Sequence, residues 1–218
     1  MLNTDDMIKL IPLYSKAAVV TVQLTLLAVL ISLIIGISGN LAYYYRISVL
    51  NRIVKFYTEI SRNTPILAQL FFLYFGLPAL GIRLSGFACG TIALSFLGGG
   101  YMIEGIRSGF EVIGANQMES ALSLGLSRTQ ILWHVISPQA FRASLPAVSA
   151  NIIFLLKETS LAGAIAIPDL MHTATSQISM YYRTNESLIM LTLYYVLLIG
   201  PLCILFSLLE RRLGYGRN

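Results

Sequence analysis

The chain has 218 residues, 56% of them hydrophobic and only 11% charged, with a mean hydropathy of +0.73 and a net charge of +5. A soluble domain keeps roughly 25% charged residues, so a water-soluble globule is excluded and the composition points to an all-α integral membrane protein. The positive charge suits basic loops against anionic lipid heads and needs no nucleic-acid partner.

The first apolar run predicts a span over residues 17–45, since about 20 apolar residues cross roughly 30 Å of hydrocarbon. Asp5 and Asp6 precede it, where a cleavable secretory peptide would carry basic residues, so this span is expected to be retained. Its Thr21, Gln23 and Thr25 are expected to hydrogen-bond to neighbouring helices. A second span is read over 60–82, with Thr64 and Pro65 forming either an N-cap and first-turn pair or a kink, and Gln69 one turn on. The third covers 84–107. Its Gly98, Gly99 and Gly100 permit close helix approach or local unwinding, Tyr101 adds a hydroxyl beside them, and Glu104 and Arg107 are spaced for an i, i+3 ion pair.

Residues 112–138 form a polar insert. Leu122, Leu124 and Leu126, followed by Ile131, Leu132, Val135 and Ile136, predict two short, partly apolar helices. Gly125 supplies the left-handed turn between them, Ser127 and Gln130 fit a capping box, and Pro138 is expected to end the second helix. Such a pair either lies on the lipid surface or docks on a soluble partner; acidic Glu119 and the few basic residues favour docking.

The fourth span, 143–168, carries Lys157 and Glu158 in its interior. Measured from Pro146 they lie roughly 16 to 18 Å along the axis, near mid-bilayer. Adjacent helical residues diverge by about 100°, so the two charges do not neutralise each other on one face. The functional reading has Glu158 meeting a substrate ammonium, with Lys157, Thr159 and Ser160 beside it and Tyr101 on a second wall; the structural alternative makes the charges interhelical packing partners. The fifth span is read over 187–210. The five spans form one transmembrane domain, 1–218.

Orientation follows from the basic residues of the loops. Arg46, Arg52, Lys55, Arg62, Arg107, Arg128, Arg142, Arg211, Arg212 and Arg217 fall on one side, against Lys9, Lys16, Arg83 and Arg183 on the other. The N-terminus is therefore expected outside and the C-terminus inside, with 112–138 in the cytoplasm. Enzyme chemistry finds no support. There is no G-x-x-x-x-G-K-[ST]. His134 and His172 lie on opposite sides, His134 reads as an interfacial packing residue beside Trp133, and Cys89 and Cys203 sit in separate apolar runs, so no catalytic residues, metal site, disulfide or cofactor is expected in this chain.

The insert resembles the cytoplasmic loop of ABC importer permeases, E-A-A-x-x-x-G, nine residues, then I-x-L-P. The chain places Glu119, Ser120, Ala121 and Gly125 on the first part, with Leu124 just before the glycine, and Val135, Ile136, Ser137 and Pro138 on the second; Ser120 and Ser137 stand where Ala and Leu are usual. SRNTPILAQLFFLYFGLP at 61–78, YMIEGIRSGF, NQMESALSLGLS, SPQAFRASLP and LLKETSL are similar, in the same order, to blocks of the polar amino acid branch of that family, over roughly residues 15–213. The resemblance implies a permease subunit in a bacterial inner membrane, paired with a second identical or homologous permease. It further implies two ATPase subunits, holding ATP and Mg, docked on Glu119, Ser120, Ala121, Leu124, Gly125 and Pro138, and an extracytoplasmic binding protein that delivers an amino acid. The rival reading, a secondary amino acid transporter driven by an ion gradient, predicts several intramembrane carboxylates and matched halves; Glu158 alone meets the first demand, and five spans do not divide equally.

Overall fold

The computed structural model describes residues 4–113 and 115–213, and the regular elements among them are all helical. Arg217, one of the ten basic residues assigned to the inner side, lies outside the described residues. Four helices are long and apolar enough to cross a membrane, and five spans result if one bent pair counts as a single crossing.

Helix α1 (Thr4–Tyr44) has 41 residues and starts well before the expected residue 17. Asp5 and Asp6 in its first turn suit the positive end of the helix dipole. Tertiary contacts hold the added turns: Leu10, Tyr14 and Ala17 bury against Leu170, Ala174 and Met190, Tyr14 Oη donates to the Ser187 carbonyl at 3.1 Å, and Asp6 pairs with Arg183 at 3.5 Å. Thr21 does bridge elements, its hydroxyl accepting the Leu170 N–H at 3.3 Å, whereas Thr25 bonds back within its own helix to the Thr21 carbonyl.

The segment expected as a basic loop after α1 is instead helix α2 (Ser48–Asn63), with three distinct faces. Thr58 and Ser61 are buried, Val49, Ile53, Phe56 and Ile60 form an exposed apolar stripe, and Lys55, Glu59 and Arg62 form a charged one. The second span departs furthest from expectation. The chain bends by 98° at Thr64 and Pro65, which settles the kink reading, and continues as α3 (Ile66–Phe71), a π-turn (Phe72–Gly76) and a 3₁₀ turn (Leu77–Leu80). At about 1.5 Å per residue this run is only about 22 Å long, short of the roughly 30 Å core. Gln69 ties the bend by donating from Nε2 to Thr64 Oγ1 at 2.7 Å.

Helix α4 (Gly86–Glu111) is central, capped by Ser85 Oγ, which accepts the Ala88 N–H at 3.2 Å. Lipid tails are as apolar as leucine, so close packing rather than escape from water holds helices together in a bilayer. Helices α1, α2 and α7 all pack on α4. A Cβ at Gly98 would collide with Ser32 and Leu155, at Gly99 with Tyr57, and at Gly100 with Ser61. The helix runs unbroken through these glycines, so they serve close approach and not unwinding.

Helix α5 (Ala115–Ser123) and helix α6 (Arg128–Ile131) flank Gly125, whose φ of +78° is the left-handed turn expected there. The capping box forms: Ser127 N–H donates to Gln130 Oε1 at 2.9 Å, and Gln130 N–H to Ser127 Oγ at 3.4 Å. Pro138, however, does not end the second helix. A π-turn (Leu132–Ile136), helix α7 (Ser137–Glu158) and a 3₁₀ turn (Thr159–Ile165) follow directly, and Arg128–Ile165 is a single span candidate. The Ser137 N–H bonds to the Leu132 carbonyl, five residues back. Pro138 then occupies the first turn of α7, directly after the π-turn, the part of a helix where proline is best tolerated. The fourth span thus begins before residue 143. Helix α8 (Leu170–Tyr181), which hydropathy did not foretell, leads to α9 (Thr184–Arg212), close to the expected fifth span.

Candidate functional site

Glu158 is the last residue of α7, half-buried, and Lys157 beside it is exposed on the next face; neither has an opposite charge within 4.0 Å among the described residues. The divergence read from helical geometry is therefore present. Thr159 is fully buried and donates its hydroxyl to the Leu156 carbonyl at 2.7 Å, which turns it into the core instead of toward a cavity. Ser160 is half-buried. Tyr195 of α9 approaches Thr159 and Ser160, yet its buried hydroxyl makes no well-formed hydrogen bond among the described residues.

Tyr101 packs its ring on Phe154 at 5.0 Å, and Phe154 lies one helical turn before Glu158. Tyr101 and Glu158 are thereby placed along the same side of α7. The Tyr101 carbonyl accepts from Asn151 Nδ2 at 2.9 Å, pinning α4 to α7. Arg62 also lies over the Tyr101 ring, its guanidinium carbon 5.1 Å from the centroid. Glu104 receives both Arg62, at 3.7 Å, and Arg107, at 2.6 Å, so the expected i, i+3 pair is one part of a link between α2 and α4. Counting basic residues places Arg62 among the loop charges; the signal that finds it is the 3.6-residue period of α2.

At the other end of α7, Ala121 is buried with Ile131, Ile136 and Ala140, and so holds α5 against α6 and α7. Glu119, Ser120, Leu122, Leu124, Gly125 and Pro138 are exposed, Leu124 at 81%, and Trp133 adds a further exposed ring at 64%. Tyr44 of α1 steadies the elbow by donating to the Arg128 carbonyl at 2.9 Å. His134 is exposed, with Nδ1 3.0 Å from the Gln130 carbonyl. A cavity of about 880 Å³ opens at this end, lined by Asn40, Tyr43, Arg46, Lys55, Glu59, Arg62, Glu104 and Arg107 among others.

Sequence reasoning also missed Asp169. It is fully buried, caps α8 by accepting the His172 N–H at 2.8 Å, and leaves its second oxygen without a hydrogen bond among the described residues. Burial pushes its carboxyl up to about 6 from the ordinary 3.8, against the opposing pull of the His172 and Met171 N–H groups. An Asp three residues before His172 at the start of a helix-forming stretch is the cap signature that could have revealed it. Among the described residues no group of three or more His, Cys, Asp or Glu side chains could hold a metal ion.

The family model described as "Binding-protein-dependent transport system inner membrane component" matches residues 28–215. A probable glutamine ABC transporter permease protein of Bacillus subtilis is 37% identical over 155 residues, 71% of each chain. The arginine transport system permease protein of the same organism is 32% identical over 204 residues, 93% of each chain, and its L-cystine transport system permease protein is 31% identical over 206 residues, 93% of this chain and 87% of that one. A crystal structure of an amino acid ABC transporter with histidines superposes with a TM-score of 0.90 at 32% identity, covering 97% of this chain and 99% of the other. An inward-facing methionine ABC transporter shares the fold, with a TM-score of 0.77 at 16% identity.

Proposed function

We propose, from the premise that this chain belongs to the family of binding-protein-dependent transport system inner membrane components and is an amino acid ABC transporter permease, that its α5–α6 elbow couples amino acid movement to ATP hydrolysis in a partner. In this reading the elbow and the C-terminus face the cytoplasm of a bacterial inner membrane, and α8 and the N-terminus face outward. Two ATPase subunits bind ATP and Mg. A second identical or homologous permease completes the pore, and an extracytoplasmic binding protein delivers the substrate. This chain supplies the path and catalyses no reaction itself.

The observation that carries the proposal is the unbroken helical run from the capped start of α6 to Glu158. About 30 residues at about 1.5 Å each make a strut of about 45 Å. A push on Glu119, Ser120, Leu122 and Leu124 enters through Gly125 and the buried Ala121, and the strut delivers it to Glu158 and Lys157. There Glu158 meets the substrate ammonium or a cationic side chain, Lys157 its carboxylate, and Tyr101 and Ser160 line the wall, with Thr159 supporting it from the core. The relatives named for glutamine, arginine and cystine support a polar amino acid as cargo.

Uptake in proteoliposomes with the partner proteins tests both ends. Glu119→Lys should cut ATP-driven uptake at least about tenfold while the free chain folds normally; intact coupled uptake defeats the docking claim. Glu158→Gln should keep the ATPase subunits bound but lose most transport across candidate amino acids. Unchanged uptake and ATPase stimulation in that variant would remove Glu158 from the path.

A further inference from the structure

We infer that the cavity where α1 meets α2 is a binding site for an anionic phospholipid, with Arg46 holding the phosphate and the apolar stripe of α2 carrying the acyl chains. The site lies at the elbow end of the molecule, apart from Glu158, and requires only that the chain sit in a bilayer. Its volume of about 880 Å³ falls within the roughly 300 to 1,000 Å³ typical of ligand sites.

The charges lining it are not balanced. Arg62 and Arg107 are taken up by Glu104, Arg107 also by Glu111, and Lys55 stands 3.9 Å from Glu59. Arg46 has no carboxylate within 4.0 Å among the described residues. Its backbone is also unusual. Arg46 closes α1 at φ 54°, with its N–H on the Tyr43 carbonyl and the Ile47 N–H on the Ala42 carbonyl. That left-handed position is normally filled by glycine, so the fold carries a strained residue whose long cation reaches the cavity.

A lipid fits better than a soluble phosphate ester because of what lies next door. Helix α2 lends Lys55, Glu59 and Arg62 to the cavity from one face, and on an adjacent face it leaves Val49, Ile53, Phe56 and Ile60 exposed at 68%, 57%, 66% and 38%. Arg46 at the end of α1 thus stands beside a helix that lines the cavity with one face and offers an apolar stripe on the next. A water-soluble ester would fill the cavity and leave this stripe bare. Basic pockets between helices at the more basic membrane face are suited to anionic head groups.

The test is native mass spectrometry of the detergent-solubilised chain titrated with phosphatidylglycerol or phosphatidylcholine. The wild type should bind phosphatidylglycerol about fivefold more tightly, as one basic contact near a membrane surface supplies. Arg46→Gly should abolish that preference while its melting temperature stays at or above wild type, because glycine suits the backbone there. Arg52→Ala, on α2 but outside the cavity lining, should keep the preference. Ile53→Ser/Phe56→Ser should weaken both lipids alike, and glycerol phosphate should not displace bound lipid. Equal binding of the two lipids by the wild type, or a preference surviving in Arg46→Gly, overturns the site. Displacement by equimolar glycerol phosphate assigns it to a soluble ester and overturns the lipid. None of these outcomes depends on an ATPase partner, so failure here and failure of the transport reading are separable.

Discussion

The runs Ile66–Gly81 and Arg128–Ala166 are written in the same local grammar and end as very different objects. Each opens as an α-helix, widens into a five-residue π-turn, meets a proline two residues later, finishes in a 3₁₀ turn and closes on a left-handed residue, Gly81 at φ 83° or Ala166 at φ 58°. A side-chain cap then starts the next helix, Ser85 for α4 and Asp169 for α8. The difference is α7: in the second run 20 residues, 139–158, separate Pro138 from the 3₁₀ turn, whereas in the first Pro78 lies inside the 3₁₀ turn itself. Proline after a π-turn therefore does not decide whether a helix continues. In α7 the decision comes from backing: Gly105 and Gly109 of α4 let Ala147, Ala140 and Ser144 approach, whereas Pro78 is followed within three residues by Gly81, where an added Cβ would meet nothing within 4 Å among the described residues.

The largest test of that explanation is Gly109→Val. A Cβ there would lie 2.6 Å from the Ala140 carbonyl and 2.7 Å from Ser144 Cβ, both parts of a rigid helix. Overpacking of backbone against backbone should cost at least about 3 kcal/mol, visible as loss of folded protein in detergent melts. If the variant melts like wild type, packing on α4 is not what carries the helix past Pro138.

The two left-handed closures should respond with opposite sign. Gly81→Ala meets open space and pays only the backbone cost, about 1 to 2 kcal/mol of destabilisation. Ala166→Gly relieves that cost and should stabilise by up to about 1 kcal/mol. Matching signs in thermal melts would separate the two runs after all.

The smallest effect distinguishes the caps. The carboxyl of Asp169 is raised in the folded state, to about 6 from 3.8, so the fold prefers it protonated. Stability from this group should rise as pH falls through about 6 and level off below about 4, a gain of about 1 kcal/mol between pH 7 and pH 5. The Ser85 cap has no such dependence. Asp169→Asn should flatten the pH profile of the melting temperature, and an unchanged slope would place the titration elsewhere.

How far the sequence was legible depended on range. The Gly125 turn and the Ser127–Gln130 box are legible because both are satisfied within a few residues. Glu158 and Lys157 are conspicuous as charge in a span, and that they do not pair with each other follows from their angular separation. Arg62 is not legible from a count of basic residues, which ignores period, and α2 stands on Ser61 and Tyr57 packed against Gly100 and Gly99. Thr159 looked like a ligand beside Glu158, but the turn tightens after α7 and sends its hydroxyl to Leu156.

By itself the sequence determined that the chain lives in a membrane, that it has five hydrophobic stretches, and that it turns sharply at Gly125. Composition and local backbone preference act without distant partners. Only the tertiary structure decided where helices stop, that Pro138 is passed and Pro65 bent, and which polar groups meet. Those outcomes depend on how closely α1, α2 and α7 approach the glycines of α4, and in lipid that approach supplies the packing energy which local sequence cannot register.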